Sequence, residues 1–91
     1  MPPTIVSRAP VEEADGLKVV VQDGLVRFNV LVTYGAIDRI RQSPMHYLTS
    51  FRENRHFFER LIREKCRQGK FEVDGTMRIT GADVLRAQAE W

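Results

Sequence analysis

The segment LKVVVQDGLVRFNVLV, residues 17–32, decides the fold because it predicts a β-hairpin. Two runs rich in β-branched residues, 17–22 and 25–32, flank Asp23-Gly24, a dipeptide typical of two-residue hairpin turns. A loop of these two residues pairs Val21 with Val26. Side chains alternate along a strand, so one face of the hairpin collects the apolar residues. The predicted core face consists of Leu17, Val19, Val21, Val26, Phe28, Val30 and Val32.

Residues 33–42, which follow the hairpin, leave two structures open. Tyr34-Gly35 can turn the chain into a third strand at Ala36–Arg41, which would stabilise the sheet because two strands alone are marginal. Ile37 and Ile40 have instead the spacing of a short helix. The third strand is the favoured prediction.

Helical signals dominate residues 43–69. Ser43-Pro44 is typical of a helix start, and Gly69 is typical of a helix end. The apolar residues between these points recur at helical spacing, which fits either one long helix or a short helix followed by a longer one. They are Tyr47, Leu48, Phe51, Phe58, Leu61, Ile62 and Cys66.

The region after Gly69 predicts a loop, a strand and a last helix. A second hairpin at Asp74-Gly75 would place Phe71 opposite Arg78, so we expect a loop over residues 70–75. A strand should follow over Thr76–Ile79. The segment TGAD, residues 80–83, resembles a capping box and starts a helix that runs to about residue 89. The side chains expected to face the core are Met77, Ile79, Val84 and Leu85.

The length of 91 residues allows a single domain. Pro2, Pro3 and Pro10 predict a flexible N-terminal tail over residues 1–15, and residues 16–91 then form the domain. The predicted fold class is α+β. In it, a small antiparallel sheet, made of the hairpin plus one or two further strands, packs against a long helix and a short C-terminal helix.

Positive charge is concentrated in the middle of the chain. The net charge is −1 over residues 1–37, +5 over residues 38–70 and −2 over residues 71–91, which sums to +2. Residues 51–70 therefore predict an amphipathic helix with a basic outer face, the candidate contact surface for phosphates or an acidic partner. Glu53, Glu59 and Glu64 lie between the basic residues and dilute this field. The candidate contacts are Arg52, Arg55, Arg60, Arg63, Arg67 and Lys70.

The sequence predicts no catalytic, cofactor or metal site. His46, His56 and Cys66 are ten residues apart, a step that leaves successive side chains about 80° apart around a helix. Zinc-ligand spacings such as Cys-x2-Cys are absent from the sequence. Cys66 is therefore expected to be a small core residue. This single cysteine, with no apolar signal segment, predicts a cytoplasmic location, and no apolar run suits a membrane.

The order of these elements resembles a small bacterial family, the domain of unknown function 1488. The resemblance rests on the strand Val26–Val32 and on an ending of the type Asp-Gly-x-x-x-Ile-Thr-x-x-Asp, here residues 74–83, and it spans roughly residues 17–85. Residues 34–48 depart from the family, which usually has a clear third strand that runs into a short helix. The resemblance implies a small α+β domain in a bacterial cytoplasm and supplies no activity, cofactor or catalytic residue.

The predicted function is a non-enzymatic protein-interaction or regulatory module, with a protein partner or self-association. Val20, Leu25 and Leu31, on the second face of the hairpin, are candidates for a dimer surface or for packing against the helices. Trp91 is either an interface anchor, since tryptophan is enriched among the residues that dominate binding energy, or a disordered last residue. The alternative function is nucleic-acid binding through the basic face of residues 51–70.

Overall fold

A mixed β-sheet covered on one face by helices forms the protein, as a computed structural model of residues 2–7, 9–40 and 46–91 shows. The strands of this described part are β1 (Thr4–Ile5), β2 (Val11–Glu12), β3 (Gly16–Asp23), β4 (Val26–Thr33) and β5 (Met77–Ile79). Its helices are α1 (Tyr34–Ile40), α2 (Tyr47–Glu53), α3 (Arg55–Arg67) and α4 (Gly81–Glu90). The predicted α+β class is confirmed.

The predicted hairpin is present as β3 and β4, but its pairing is shifted by two residues. Val21 faces Phe28 instead of Val26, and the turn is Gly24-Leu25 instead of Asp23-Gly24. Gly24 has a φ of 63°, which suits the first position of a two-residue turn that begins with glycine. Because side chains alternate with a period of two, this shift leaves every residue on its predicted face.

The core face of the hairpin is buried at one end and exposed at the other. Phe28 is half-buried, and Val26, beside the turn, is 63% exposed. The hairpin therefore extends past its helical cover at the turn end, and the predicted burial of Val26 is wrong. The other predicted core residues are buried as expected: Leu17, Val19, Val21, Val30 and Val32.

Residues 34–40 form helix α1, so the favoured third strand is wrong over the described residues 36–40. The hydroxyl of Thr33 accepts a hydrogen bond from the backbone N–H of Ala36 at 3.1 Å and caps the start of the helix. Ala36 and Ile37 are buried, and Ile40 packs against the core. This is the spacing expected of the short helix that the sequence left open as the alternative. Packing of this stripe outweighs the turn signal of Tyr34-Gly35. The predicted helix start at Ser43-Pro44 lies outside the described residues.

Two helices separated by Asn54 replace a single long one, which matches the second of the two sequence alternatives. His46 caps α2, since its ring Nδ1 accepts a hydrogen bond from the backbone N–H of Leu48 at 3.2 Å. Helix α3 ends at Arg67, and Gly69 follows with a φ of 67°, which confirms the predicted stop. The apolar stripe that both helices bury includes Phe51, Phe58, Leu61 and Ile62.

Strand β5 pairs parallel with β4, so the prediction of a purely antiparallel sheet is wrong. Helices α1 to α3 form the crossover that returns the chain to the sheet in the same direction as β4. The predicted loop over residues 70–75 is confirmed, as is the inward orientation of Met77 and Ile79. Thr80 and Asp83 form the predicted capping box of α4. Val84 is buried as expected, but Leu85 is 54% exposed.

The N-terminal segment lies against the domain and differs from the predicted tail over residues 1–15. Strands β1 and β2 both pair antiparallel with the same edge of β3. Ile5 is only 3% exposed and belongs to the hydrophobic core. The strands are two residues long and are flanked by prolines, so the sequence pattern does not indicate them.

Candidate protein-interaction surface

Two of the six predicted contact residues, Arg55 and Arg63, hold the N-terminal segment. The guanidinium of Arg55 donates to the carbonyl oxygen of Ile5 at 2.8 Å, and that of Arg63 donates to the carbonyl oxygen of Pro3 at 2.8 Å. Glu59 lies between them on α3. Its carboxylate accepts the backbone N–H of Ile5 at 3.1 Å and pairs with Arg63 at 3.1 Å. These arginines therefore act within the fold.

Arg60 and Arg67 are also engaged, at the surface. The guanidinium carbon of Arg60 lies 4.0 Å from the centroid of the Trp91 ring, a cation–π distance. Trp91 also packs edge-on against Phe57, with ring centroids 5.2 Å apart, and remains 39% exposed. Arg67 pairs with Glu64 at 2.8 Å, and this exposed pair offsets the charge of the arginine locally.

Arg52 and Lys70 are exposed and have no ion pair with another residue in the described ranges. Arg52 lies in α2 and Lys70 lies beyond the C-terminal end of α3. Helix α3, which is 13 residues and about 20 Å long, lies between them along the chain. The six predicted residues thus share a region of the chain but do not form one unoccupied basic strip.

Exposed apolar side chains lie at the turn of the hairpin and in the loop that precedes β5. We define the apolar end as Leu25, Val26, Phe71 and Val73, which are 102%, 63%, 43% and 108% exposed. The loop that leads into β5 runs beside the turn end of β4, since the ring of Phe71 lies 5.1 Å from that of Phe28, edge to face. Four large apolar side chains are therefore presented to solvent by two neighbouring segments.

Charged residues of both signs surround the apolar end. The positive residues are Arg27, Arg67 and Lys70, and the negative residues are Asp23, Glu72 and Asp74, all of them exposed. The loop itself is ordered by short contacts. The carboxylate of Asp74 accepts hydrogen bonds from the backbone N–H and the hydroxyl of Thr76 at 3.0 and 2.6 Å, which lower the pKa of Asp74. The surface is thus an apolar centre with a charge-balanced rim on a structured loop.

Sequence reasoning finds only part of this surface. Leu25 is among the predicted dimer residues, but its companions Val20 and Leu31 are half-buried on the face of the sheet away from the helices. The sequence pattern assigns Val26 to the core, and Phe71 and Val73 to a loop. The signal that points to the surface is the run KFEVD, residues 70–74, in which apolar residues alternate with charged ones inside a loop.

Cys66 is the single cysteine of the chain, and its thiol lies partly inside the fold. Cys66 is half-buried, and burial, with a smaller contribution from the negative charge of Asp23, raises the pKa of its thiol. A thiol with a raised pKa is protonated at neutral pH and is a poor nucleophile. Within residues 2–7, 9–40 and 46–91, no group of three or more His, Cys, Asp or Glu side chains could hold a metal ion.

Lys65 and Asp83 form a partly buried ion pair that joins three elements. The ammonium of Lys65 donates to Asp83 at 2.9 Å and to the carbonyl oxygen of Arg78 in β5 at 2.6 Å. Burial raises the pKa of Asp83, but hydrogen bonds from Lys65 and from the backbone N–H and hydroxyl of Thr80 outweigh it, and the pKa lies below its ordinary value. This pair ties α3 to β5 and to the start of α4.

No family model, curated protein or solved structure matches the chain. The resemblance to the domain of unknown function 1488 therefore stays a prediction. In the part of the chain that the structure describes, no helix has both the length and the apolar character needed to cross a membrane.

Proposed function

We propose that the protein is a non-enzymatic protein-interaction module that binds a protein partner through the apolar end. The observation that carries this proposal is the exposure of Leu25, Val26, Phe71 and Val73 at one end of the molecule. Contiguous exposed apolar residues rimmed by polar ones are typical of interaction surfaces, whereas single exposed residues are common everywhere. Leu85, alone on α4, is an example of the second kind.

The character of the surface favours a protein partner over a nucleic acid. Polyanions are bound by an excess of positive charge, and the rim carries as many acidic as basic residues. Protein interfaces instead combine an apolar centre with a polar rim of mixed charge. The basic residues of α3 give little support to the nucleic-acid alternative, since Arg55 and Arg63 are used to hold the N-terminal segment. A second copy of the chain counts among the partners that fit.

Site-specific photo-crosslinking tests the proposal. A photoreactive amino acid is placed at Val73, in the apolar end, or at Leu85, which is exposed on α4 at 54%. After irradiation of native cells, we expect a discrete adduct from position 73 and none from position 85, and mass spectrometry identifies the partner, which includes the protein itself. Equal labelling from both positions, or no adduct from position 73, would contradict the proposal that the apolar end is the binding surface.

A further inference from the structure

The turn-end half of β4 is a free edge of the sheet. Strand β4 runs from Val26 to Thr33, and β5 pairs only with its residues Val30–Val32. On its other side, β4 pairs with β3 along its whole length. Within the described part of the chain, residues 26–29 therefore have a neighbouring strand on one side only.

The backbone of Arg27 faces this free edge. Val6 donates its N–H to the carbonyl oxygen of Val20 at 2.9 Å, and Val20 donates its own N–H to the hydroxyl of Ser7 at 3.1 Å. The backbone groups of Val20 thus point away from β4, as must those of Asn29 opposite it point away from β3. Arg27, two residues before Asn29, has the same orientation. Its N–H and carbonyl oxygen bond to no described residue, and Arg27 is exposed.

Apolar side chains lie next to these unpaired backbone groups. Val26 and Phe28 flank Arg27 and point to the helix side of the sheet, where the ring of Phe71 packs edge-on against that of Phe28 at 5.1 Å. Val26 and Phe71 remain 63% and 43% exposed. A strand laid along this edge would place alternate side chains against them. The edge therefore offers the two features that an extended peptide uses, main-chain hydrogen bonds and apolar contact at every second residue.

We propose that the free edge of β4 receives an extended segment of a partner protein by strand addition, with apolar residues at two alternate positions that pack on Val26, Phe28 and Phe71. This inference rests on the proposed function, because it specifies the conformation in which a partner binds the apolar end. The same strand of a second copy fits poorly. A two-fold pairing about this edge places Arg27 opposite Arg27, and like charges directly opposite each other are destabilising.

NMR titration of the full-length protein tests the proposal. The probe is the acetylated and amidated peptide Ser-Val-Thr-Val-Ser, which is uncharged and has apolar, β-branched residues at alternate positions. We expect saturable binding in which the amide proton of Arg27 moves to lower field as its N–H gains an acceptor. The amide resonance of Leu85, on α4, should not move. The peptide Ser-Ser-Thr-Ser-Ser, which lacks the apolar side chains, should not bind.

The variants Arg27→Pro and Arg27→Ala separate the backbone from the side chain. Both remove the guanidinium, and proline also removes the N–H, which has no partner in the fold, so both proteins should give the wild-type circular dichroism spectrum. We expect Arg27→Pro to bind the probe at least about tenfold more weakly than Arg27→Ala, since a main-chain hydrogen bond is lost.

A modified peptide makes the same test without a change in the protein. Methylation of the three central nitrogens of the probe removes every donor that can reach the carbonyl oxygen of Arg27. Binding to the wild-type protein should again fall at least about tenfold. This measurement decides the proposal if Arg27→Pro does not fold.

Three results would overturn the proposal. The first is the absence of probe binding to the wild-type protein. The second is equal affinity of folded Arg27→Pro and Arg27→Ala, of the methylated and unmethylated probes, or of the valine and serine peptides. The third is a dimer of the pure protein that Arg27→Pro dissociates, which would assign the edge to a second copy.

The proposed function is judged separately. An adduct from position 73 supports it whatever the peptides show. A partner whose affinity falls in Leu25→Asp/Val73→Asp but not in Arg27→Pro would bind the apolar end without adding a strand, and would overturn only the inference about the edge.

Discussion

The two ends of the β3–β4 hairpin have the same alternating sequence pattern but opposite environments. At the open end of the hairpin, Leu17 and Val32 are fully buried beneath the helices. At the turn end, Leu25 and Val26 are exposed to solvent at 102% and 63%. Alternation therefore determines which face of a strand is apolar, whereas the helices determine how much of that face is covered. The apolar residues beyond the cover contribute little to folding and are available for binding.

Charge substitutions at the two ends should separate their roles most strongly. Val32→Asp places a carboxylate in the core and should lower the free energy of unfolding by about 4 kcal/mol or more, enough to unfold a small domain. Val26→Asp, on the same face of the same strand, should change it by less than about 0.5 kcal/mol. Urea denaturation followed by circular dichroism measures both. Similar losses for the two variants would mean that the turn end is part of the core.

Close backbone packing at the covered end gives the second largest expected effect. A Cβ atom on Gly16 would lie 2.3 Å from the carbonyl oxygen of Val32, so Gly16→Ala requires the strands to shift and should cost about 2–3 kcal/mol. Gly35→Ala is the matched control. The nearest atom to its Cβ is 3.9 Å away, and alanine in helix α1 should leave stability unchanged or raise it by up to about 1 kcal/mol. Thermal unfolding measures both variants. Equal melting temperatures for Gly16→Ala and Gly35→Ala would contradict this close packing.

The ion pair at the covered end predicts a pH dependence. Asp83→Asn removes the charge that faces Lys65 and weakens the capping box, which should cost about 1–2 kcal/mol at neutral pH. Because the pKa of Asp83 is lowered in the folded state, its contribution is present above the unfolded pKa near 4 and is lost as the pH falls through the folded pKa. Denaturation midpoints of wild type and variant should therefore converge below about pH 4. A constant difference down to about pH 2 would rule out this charge effect.

The smallest expected effect is a gain at Ser50. Its hydroxyl is fully buried and has no hydrogen-bond partner in the described part of the chain. Ser50→Ala should raise the free energy of unfolding by up to about 1 kcal/mol, because a desolvated unpaired hydroxyl is unfavourable. Thr49→Ala, at the exposed neighbouring position, is the control and should change stability little. A loss of more than about 1 kcal/mol at Ser50 would indicate a hydrogen bond from its hydroxyl.

Local patterns in the sequence predict those parts of the fold that depend on neighbouring residues. The hairpin, the capping box of Thr80 and the helix stop at Gly69 each follow from a few adjacent residues, and all three are confirmed. Helix α1 and the burial of Ile5 depend on contacts with distant parts of the chain. The pairing of β1 is supported by side chains of α3, 50 residues or more along the chain, which no local pattern encodes.

The candidate surfaces show the same limit. Composition correctly locates positive charge on residues 51–70, but cannot indicate that Arg55 and Arg63 face backbone carbonyls of the N-terminal segment. The apolar end joins a turn and a loop that are distant along the chain, so neither segment alone identifies it. Spatial proximity, which the structure provides, is what turns scattered apolar residues into a surface.

The most direct test compares stability and binding in one variant. Leu25→Asp combined with Val73→Asp should leave the free energy of unfolding within about 0.5 kcal/mol of wild type, since both side chains are fully exposed. Titration calorimetry with the purified partner, once photo-crosslinking from position 73 has identified it, should show at least about a hundredfold loss of affinity for the double variant. A loss of this size is typical when apolar hot-spot residues are removed. Leu85→Asp, the matched control, should bind like wild type. Unchanged affinity in the double variant, or an affinity loss that merely accompanies unfolding, would contradict the assignment of the apolar end as the binding surface.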